Sequence, residues 1–225
     1  MCGRFVRYTS VERFAALFHA QGSAEAKASY NIAPGARILA TRNAPDGQRE
    51  MALLKWGLVP SWSDEPKTDY STINARAETV AEKPAFRSAF RHRRCLIAAD
   101  GFYEWQPQPD GHKQPYFIHL ADDQPFAFAG IWEHWERDGK ALDSCSIIVT
   151  AANELMKPIH DRMPVILPPE RYDEWLDPAL ADPERLRPLL RPFPFASMRL
   201  HPVSTRVNSP RNDERDLIQQ ISRSS

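Results

Sequence analysis

The residues best suited to covalent chemistry open the chain, in Met1-Cys2-Gly3-Arg4-Phe5. Removal of Met1, expected before a residue as small as cysteine, would leave Cys2 with an α-amine and a thiol on adjacent carbons. In ordinary surroundings the amine titrates at about 8 and the thiol at about 8.5, so both nucleophiles are partly available near neutral pH. Such a pair attacks a carbonyl twice. The amine forms an imine, and the thiol then closes a thiazolidine ring. The same pair also suits acyl transfer, with the amine acting as base for its own thiol. The plain alternative is a cysteine that merely follows the initiator.

Further segments are dense in reactive groups. In Ile73-Asn74-Ala75-Arg76-Ala77-Glu78-Thr79, an extended backbone would put Asn74, Arg76 and Glu78 on one face. In Ala99-Asp100-Gly101-Phe102-Tyr103-Glu104-Trp105, a carboxylate sits between aromatics at the end of an apolar run. Thr150-Ala151-Ala152-Asn153 is followed by Ile159-His160-Asp161-Arg162-Met163-Pro164. Each residue also has an ordinary use: Asn74 as a cap, Arg76 and Glu78 as a surface pair, Glu104 as a paired strand carboxylate, His160 as a hydrogen-bonded loop residue. No spacing here is diagnostic in the way of a P-loop or a zinc finger.

Holding these groups together requires a scaffold, and the pattern suggests one domain over residues 1–221 with a polar tail, 222–225. Short strand-like runs at Ile38–Thr41, Met51–Val59, Cys95–Trp105, Pro115–Leu120, Phe126–Trp132 and Ser146–Thr150 are separated by turn pairs such as Asp46-Gly47, Asp110-Gly111 and Asp138-Gly139. Thr9-Ser10-Val11-Glu12 reads as a capping box with Thr9 as the cap, before a helix carrying Phe14, Leu17 and Phe18 on one face. Further helices are expected at Ala81–Arg91, Pro169–Leu176 and Asp213–Ile221. The class is α+β: a twisted antiparallel sheet or open barrel with peripheral helices.

Composition narrows the setting. The 225 residues are 42% apolar and 26% charged, as in a soluble globular protein. No apolar run approaches the roughly 18 residues of a membrane span. Three cysteines without a C-x-x-C argue against a disulfide framework or zinc site, and point to a reducing, cytoplasmic setting. Net charge is zero, yet residues 1–100 hold 15 basic against 10 acidic side chains and the remainder 14 against 19. A basic face is therefore compatible with a neutral chain, and arginine, 11 of those first 15, suits phosphates.

Taken in order, Met1-Cys2-Gly3-Arg4-Phe5, Tyr30-Asn31-Ile32-Ala33-Pro34-Gly35, Trp56-Gly57-Leu58-Val59-Pro60, Asn74-Ala75-Arg76-Ala77-Glu78-Thr79, Asp100-Gly101-Phe102-Tyr103-Glu104-Trp105 and Ile159-His160-Asp161-Arg162-Met163-Pro164 resemble the SRAP (SOS-response-associated peptidase) family over about residues 1–205. The resemblance implies a single α+β domain on a barrel-like sheet and a covalent reaction with abasic sites in single-stranded DNA, slowly self-reversing, that shields the lesion during replication. It assigns both nucleophiles to Cys2, hydrogen bonds to the amine or thiazolidine to Asn74, general acid/base work to Glu104, and assisting proton transfer to His160. Arg4, Arg76 and Arg162 would hold DNA phosphates, and Trp62 would stack on or wedge between bases. No metal or cofactor is implied; the partners are abasic single strands and replication-fork proteins, and the protein is expected to be a monomer. One departure concerns Trp62, which Ser63 follows where some relatives have a second tryptophan.

Three rival functions stand beside this reading. A peptidase would read Cys2, Glu104 and His160 as nucleophile, orienter and base, acting on the Met1–Cys2 bond or beyond it. An N-terminal-nucleophile amidohydrolase also begins Met-Cys-Gly, but its Gly-rich substrate words do not follow here. A non-catalytic reader of modified bases would need no free amine at all.

Overall fold

Alternating burial and closely spaced turns build this chain from short strands. The computed structural model describes residues 2–22, 24–44, 46–67 and 72–221; Met1 and the expected tail, 222–225, lie outside them. The elements run β1 (Phe5–Arg7), α1 (Val11–Phe18), β2 (Ser29–Ile32), β3 (Arg37–Asn43), β4 (Arg49–Trp56), β5 (Asn74–Arg76), α2 (Arg87–His92), β6 (Arg94–Ala99), β7 (Gly101–Pro107) and β8 (Lys113–Leu120). They continue β9 (Phe126–Arg137), β10 (Lys140–Ala151), β11 (Arg162–Pro164), β12 (Ile166–Leu167), α3 (Tyr172–Leu176), α4 (Pro183–Leu186) and β13 (Met198–Pro202).

One sheet closes on itself. β10 pairs with β4, β4 with β3, β3 with β6, β6 with β9, and β9 returns to β10. The ring is antiparallel except where β10 meets β4, and β10 then continues in parallel beside β5. The second sheet, in order β13-β8-β7-β1-β2, packs on the ring through aromatic edges. Phe5 lies 5.2 Å from Trp56 and 5.7 Å from Phe128, and Phe102 lies 6.1 Å from Phe128. Each such pair adds about 0.5–1.5 kcal/mol beyond the area it buries. The α+β barrel expected from the turn spacing is present, with the helices outside it.

The apolar run Cys95–Trp105 divides at Asp100 into β6 in the ring and β7 in the second sheet. The bend is held by the Asp100 carboxylate, which accepts from the backbone N–H groups of Tyr8 (2.6 Å) and Thr9 (2.8 Å) and from the Thr9 hydroxyl (2.5 Å). Gly101 follows because a Cβ there would lie 2.3 Å from the Phe117 ring. With Thr9 taken by Asp100, the cap of α1 passes to Ser10, whose oxygen accepts from the Arg13 N–H. The helix expected at Ala81–Arg91 is reduced to α2, because Pro84 interrupts it and turns occupy the residues before Arg87. Only a short 3₁₀ turn, Arg215–Ile218, forms within the expected C-terminal helix.

Much of the arginine excess proves structural. Arg94 donates to the carbonyls of Trp175, Phe90, Arg91 and Asp177, and burial, opposed by Asp177, lowers its pKa to about 10. Arg42 bonds Glu50 and Asp143 at 2.8 Å each with its guanidinium 4.1 Å over Trp132, and Arg7 donates to the Thr9 and Lys27 carbonyls.

Candidate active site

Cys2 is fully buried immediately before β1. That strand is fixed on both sides, with Phe5 opposite Ile32 of β2 and Phe102 of β7, and the Tyr103 N–H donates to the Arg4 carbonyl at 3.0 Å. The cysteine itself is held by Asn74, whose Nδ2 donates to the Cys2 carbonyl at 2.8 Å. Asn74 opens β5, and its own position comes from β10, where Ile147 lies opposite it. The other end of this amide, Oδ1, is buried with no hydrogen-bond partner among the described residues.

Burial raises the Cys2 thiol pKa well above its ordinary value, and the charge of Glu104 raises it further; the Arg4 backbone N–H opposes both. Glu104 therefore acts electrostatically on the sulfur. It sits in β7, 4% exposed, with Oε1 accepting from the Trp105 N–H at 3.3 Å. Glu104 and His160 line one open cavity of about 570 Å³, together with Trp105, Pro107, Lys113, Ile159 and Asn208.

His160 ends a tight loop. Asn153 Oδ1 caps the Met156 N–H at 3.0 Å, and the His160 N–H reaches the Met156 carbonyl at 2.9 Å. Its Nδ1 lies 3.0 Å from the Arg162 N–H and 2.8 Å from Asp161 Oδ1. A single nitrogen cannot accept from the first and donate to the second at once. Which of the two contacts is a hydrogen bond depends on whether Nδ1 carries the proton.

The basic residues separate into two groups. Arg76 is exposed at the end of β5, and Arg162 on β11 is ion-paired with Glu78; opposite them on β10 stand Val149 and Ala151 respectively. Burial alone would raise Glu78, but its own backbone N–H and Arg162 outweigh it, and the carboxyl stays below its ordinary value. Arg4 points elsewhere: its Nη1 donates to Asn31 Oδ1 (2.7 Å) and the Val207 carbonyl (2.9 Å), with the guanidinium 6.0 Å from the Trp105 ring. Trp62 is 66% exposed on a turn braced from below, where the Trp135 indole N–H donates to the Ser63 carbonyl at 2.8 Å.

The structure therefore joins Cys2 with Asn74 and Glu104, and Glu104 with His160, and sets Arg76 and Arg162 beside the end of β10. Sequence reasoning missed Asn31, Trp105, Lys113 and Asn208. Buried Asn31 accepts from Arg4, while its Nδ2 reaches the carbonyls of Asn212 (2.6 Å), Ser209 (3.0 Å) and Val207 (3.3 Å), binding the C-terminal segment to the start of the chain. The Trp105 indole N–H donates to Asn208 Oδ1 at 2.7 Å on that same segment. Both Asn31 and Trp105 stand inside sequence words already singled out, so the signal existed without a partner to interpret it. Among the described residues, no group of three or more His, Cys, Asp or Glu side chains is placed to hold a metal.

Comparison with known proteins bears on this arrangement. Residues 1–210 match the family model described as SOS response associated peptidase (SRAP). The chain is 43% identical over 223 residues to the abasic site processing protein YoqW of Bacillus subtilis, covering 97% of this chain and 99% of that one. It is 32% identical over 228 residues to the abasic site processing protein YedK of Escherichia coli, covering 98% and 100%. The abasic site processing protein HMCES of Xenopus tropicalis is 35% identical over 204 residues, covering 80% of this chain and 60% of that one. Among solved structures, a protein from Bacteroides thetaiotaomicron superposes with a TM-score of 0.88 at 27% identity, covering 98% of this chain and all of its own. With a family model spanning residues 1–210 and relatives of this identity and coverage, the chain belongs to the SOS response associated peptidase (SRAP) family.

Proposed function

We propose that this protein, once Met1 is removed, captures the ring-opened aldehyde of abasic sites in single-stranded DNA on Cys2 and thereby shields the lesion. Three relatives that share most of the chain are named as abasic site processing proteins, which supports the class of substrate. The observation that carries the chemistry is the hold on Cys2: Asn74 fixes its carbonyl while a buried Oδ1 on the same amide remains open to an N–H donor. A terminal amine, a protonated imine or a thiazolidine nitrogen at Cys2 carries such an N–H.

The order of attack follows from the electrostatics. Burial and Glu104 hold the thiol in its protonated form, which disfavours a thiolate-first reaction such as peptide cleavage. The Cys2 amine attacks C1′ first, and water leaves as the imine forms. Sulfur then adds to the imine carbon and the thiol proton ends on nitrogen, so the adduct weighs the sum of the two partners less one water. Glu104 serves as proton carrier for sugar opening and water loss, and His160, in the same cavity, assists both directions through its two protonation arrangements. Arg76 and Arg162 take strand phosphates beside the end of β10, Trp62 offers an exposed ring to a base, and Arg4 braces the terminal segment while adding positive potential.

Intact mass spectrometry after incubation with an abasic oligonucleotide tests the proposal. The expected species lacks Met1 and carries the oligonucleotide less one water. Cys2→Ser keeps the amine but cannot close the ring, so its adduct should survive denaturation only after borohydride reduction. An unreduced Cys2→Ser adduct as durable as the wild-type one refutes the thiazolidine.

A further inference from the structure

The segment Thr150-Ala151-Ala152-Asn153 leads into the loop that ends at His160, and its last residue grips two parts of the molecule. Asn153 is buried just past the end of β10. Its Oδ1 accepts from the Met156 N–H at 3.0 Å, as an N-cap does for one turn of helix. Its backbone carbonyl accepts from the Met156 and Lys157 N–H groups, and the Met156 carbonyl accepts in turn from the His160 N–H. The other end of the amide reaches away from the loop. Nδ2 donates to the Phe193 carbonyl at 2.8 Å and lies 3.3 Å from Met198 Sδ. Met198 opens β13, which lies beside β8 as β8 lies beside β7. Glu104 stands on β7 opposite Tyr116 of β8, and Tyr116 stands opposite Pro202 of β13. One buried amide thus ties the His160 loop to the sheet that carries Glu104.

We infer that Asn153 is a positioning residue for His160: by bridging loop and sheet, it holds the imidazole at its working distance from Glu104. The role rests on the abasic-site reading above and deepens it, because the two proton carriers then act as a fixed pair. A second tie, from Gln106 Nε2 to the Pro158 carbonyl at 3.0 Å, lies at the surface, where water competes for both groups. The Asn153 contacts to Met156 and Met198 are buried, so this bridge is the firmer one. A cap alone keeps the loop folded. A bridge also keeps it in register with the sheet, and misplacing a reacting group by about 1 Å can cost about 10²-fold in rate.

The test compares two substitutions. Asn153→Ala removes both contacts, whereas Asn153→Ser restores an oxygen for the Met156 N–H but is too short to reach Phe193 as well. Asn153→Ala should lower Tm by about 2–4 °C, the effect of one cap in a chain of this length, and Asn153→Ser should recover most of that. Adduct formation with an abasic single strand, and release into excess aldehyde trap, should nonetheless slow about 10- to 10²-fold in both variants. In a His160→Ala background, either substitution should change these rates by less than about twofold. Binding is followed by fluorescence anisotropy with a tetrahydrofuran analogue of the abasic residue, which has no aldehyde and cannot crosslink. Affinity for it should stay within about twofold of wild type. Rates that recover with Tm in Asn153→Ser, or equal losses with and without His160, reduce Asn153 to a loop cap and overturn the inference. Histidine-ring NMR gives an answer that needs no DNA: in Asn153→Ala the His160 signal should move while that of His134 stays. An unmoved His160 signal overturns the positioning role. A moved signal in a protein whose wild type forms no adduct supports that role and counts against the abasic-site chemistry alone.

Discussion

Replacing Asn74 by alanine separates positioning of the nucleophile from stability of the fold. The substitution removes one donor, Nδ2, that satisfies the buried Cys2 carbonyl at 2.8 Å. A buried acceptor left without its partner costs about 1–3 kcal/mol. The same substitution also deletes Oδ1, a buried acceptor with no partner among the described residues, and so relieves a penalty of similar size. The two effects offset in global stability, and Tm should move by no more than the about 2–4 °C that 1 kcal/mol produces in a chain of this length. Chemistry has no such offset. Cys2 loses its hold and any nitrogen adduct loses its acceptor, so 1–3 kcal/mol appears as an about 5- to 150-fold slower step. Single-turnover crosslinking at saturating abasic strand measures that step, and anisotropy with the tetrahydrofuran analogue measures binding apart from it. Affinity should stay within about twofold, since the lost contact is to Cys2 and not to DNA. A crosslinking rate close to wild type would reduce Asn74 to a residue that closes the β5 edge. A rate that falls only in step with affinity or Tm would refute the positioning argument equally.

Glu104→Gln removes the charge that helps keep the Cys2 thiol protonated, so the thiol pKa should fall. Crosslinking should nonetheless slow by about 10²-fold as the proton carrier is lost; faster crosslinking would show that Glu104 merely restrains the thiolate. His134 provides a control far from the cavity: hydrogen bonds to Asp143 (2.7 Å) and Glu136 (3.4 Å) raise its pKa. A folded-state value above the unfolded one, about 6.5, contributes stability that is complete below that value and fades as pH rises through the folded one. The Tm gap between wild type and His134→Gln should accordingly be widest below about pH 6.5 and narrow as pH rises above it, with crosslinking unaffected. A gap independent of pH would mean that these contacts do not depend on the imidazolium.

The contrast between what the sequence reveals and what it hides follows from range. Hairpin strands are legible because Asp110-Gly111 and Asp138-Gly139 announce their turns and apolar alternation fixes their faces. β5 is not legible. It is three residues long, and its partner on β10 lies more than seventy positions away, so only the closed ring makes Asn74 part of a strand. The break at Asp100 is hidden for a similar reason, because its carboxylate serves Tyr8 and Thr9 from the far end of the first hundred residues. Among the candidate site residues, Cys2, Asn74, Glu104 and His160 declare themselves by chemical type within reactive segments. Arg4 declares only a charge. Whether that charge faces solvent or structure depends on Asn31 and Val207, 27 and 203 positions distant. The same ambiguity covers Arg7, Arg42 and Arg94, counted in the basic excess of the first hundred residues yet committed to carbonyls and carboxylates inside the fold. Charge counted along a chain thus overstates the phosphate-binding surface, because an arginine with several donors is equally suited to satisfying buried carbonyls. Arg76, by contrast, is exposed, and Arg162 is held by Glu78 near the surface. Arg76 and Arg162 are brought there by β10, the same strand that positions Asn74. One strand therefore sets both the register of Asn74, which holds the Cys2 carbonyl, and the basic rim beside it, so under the proposed chemistry a change in that strand would disturb both together.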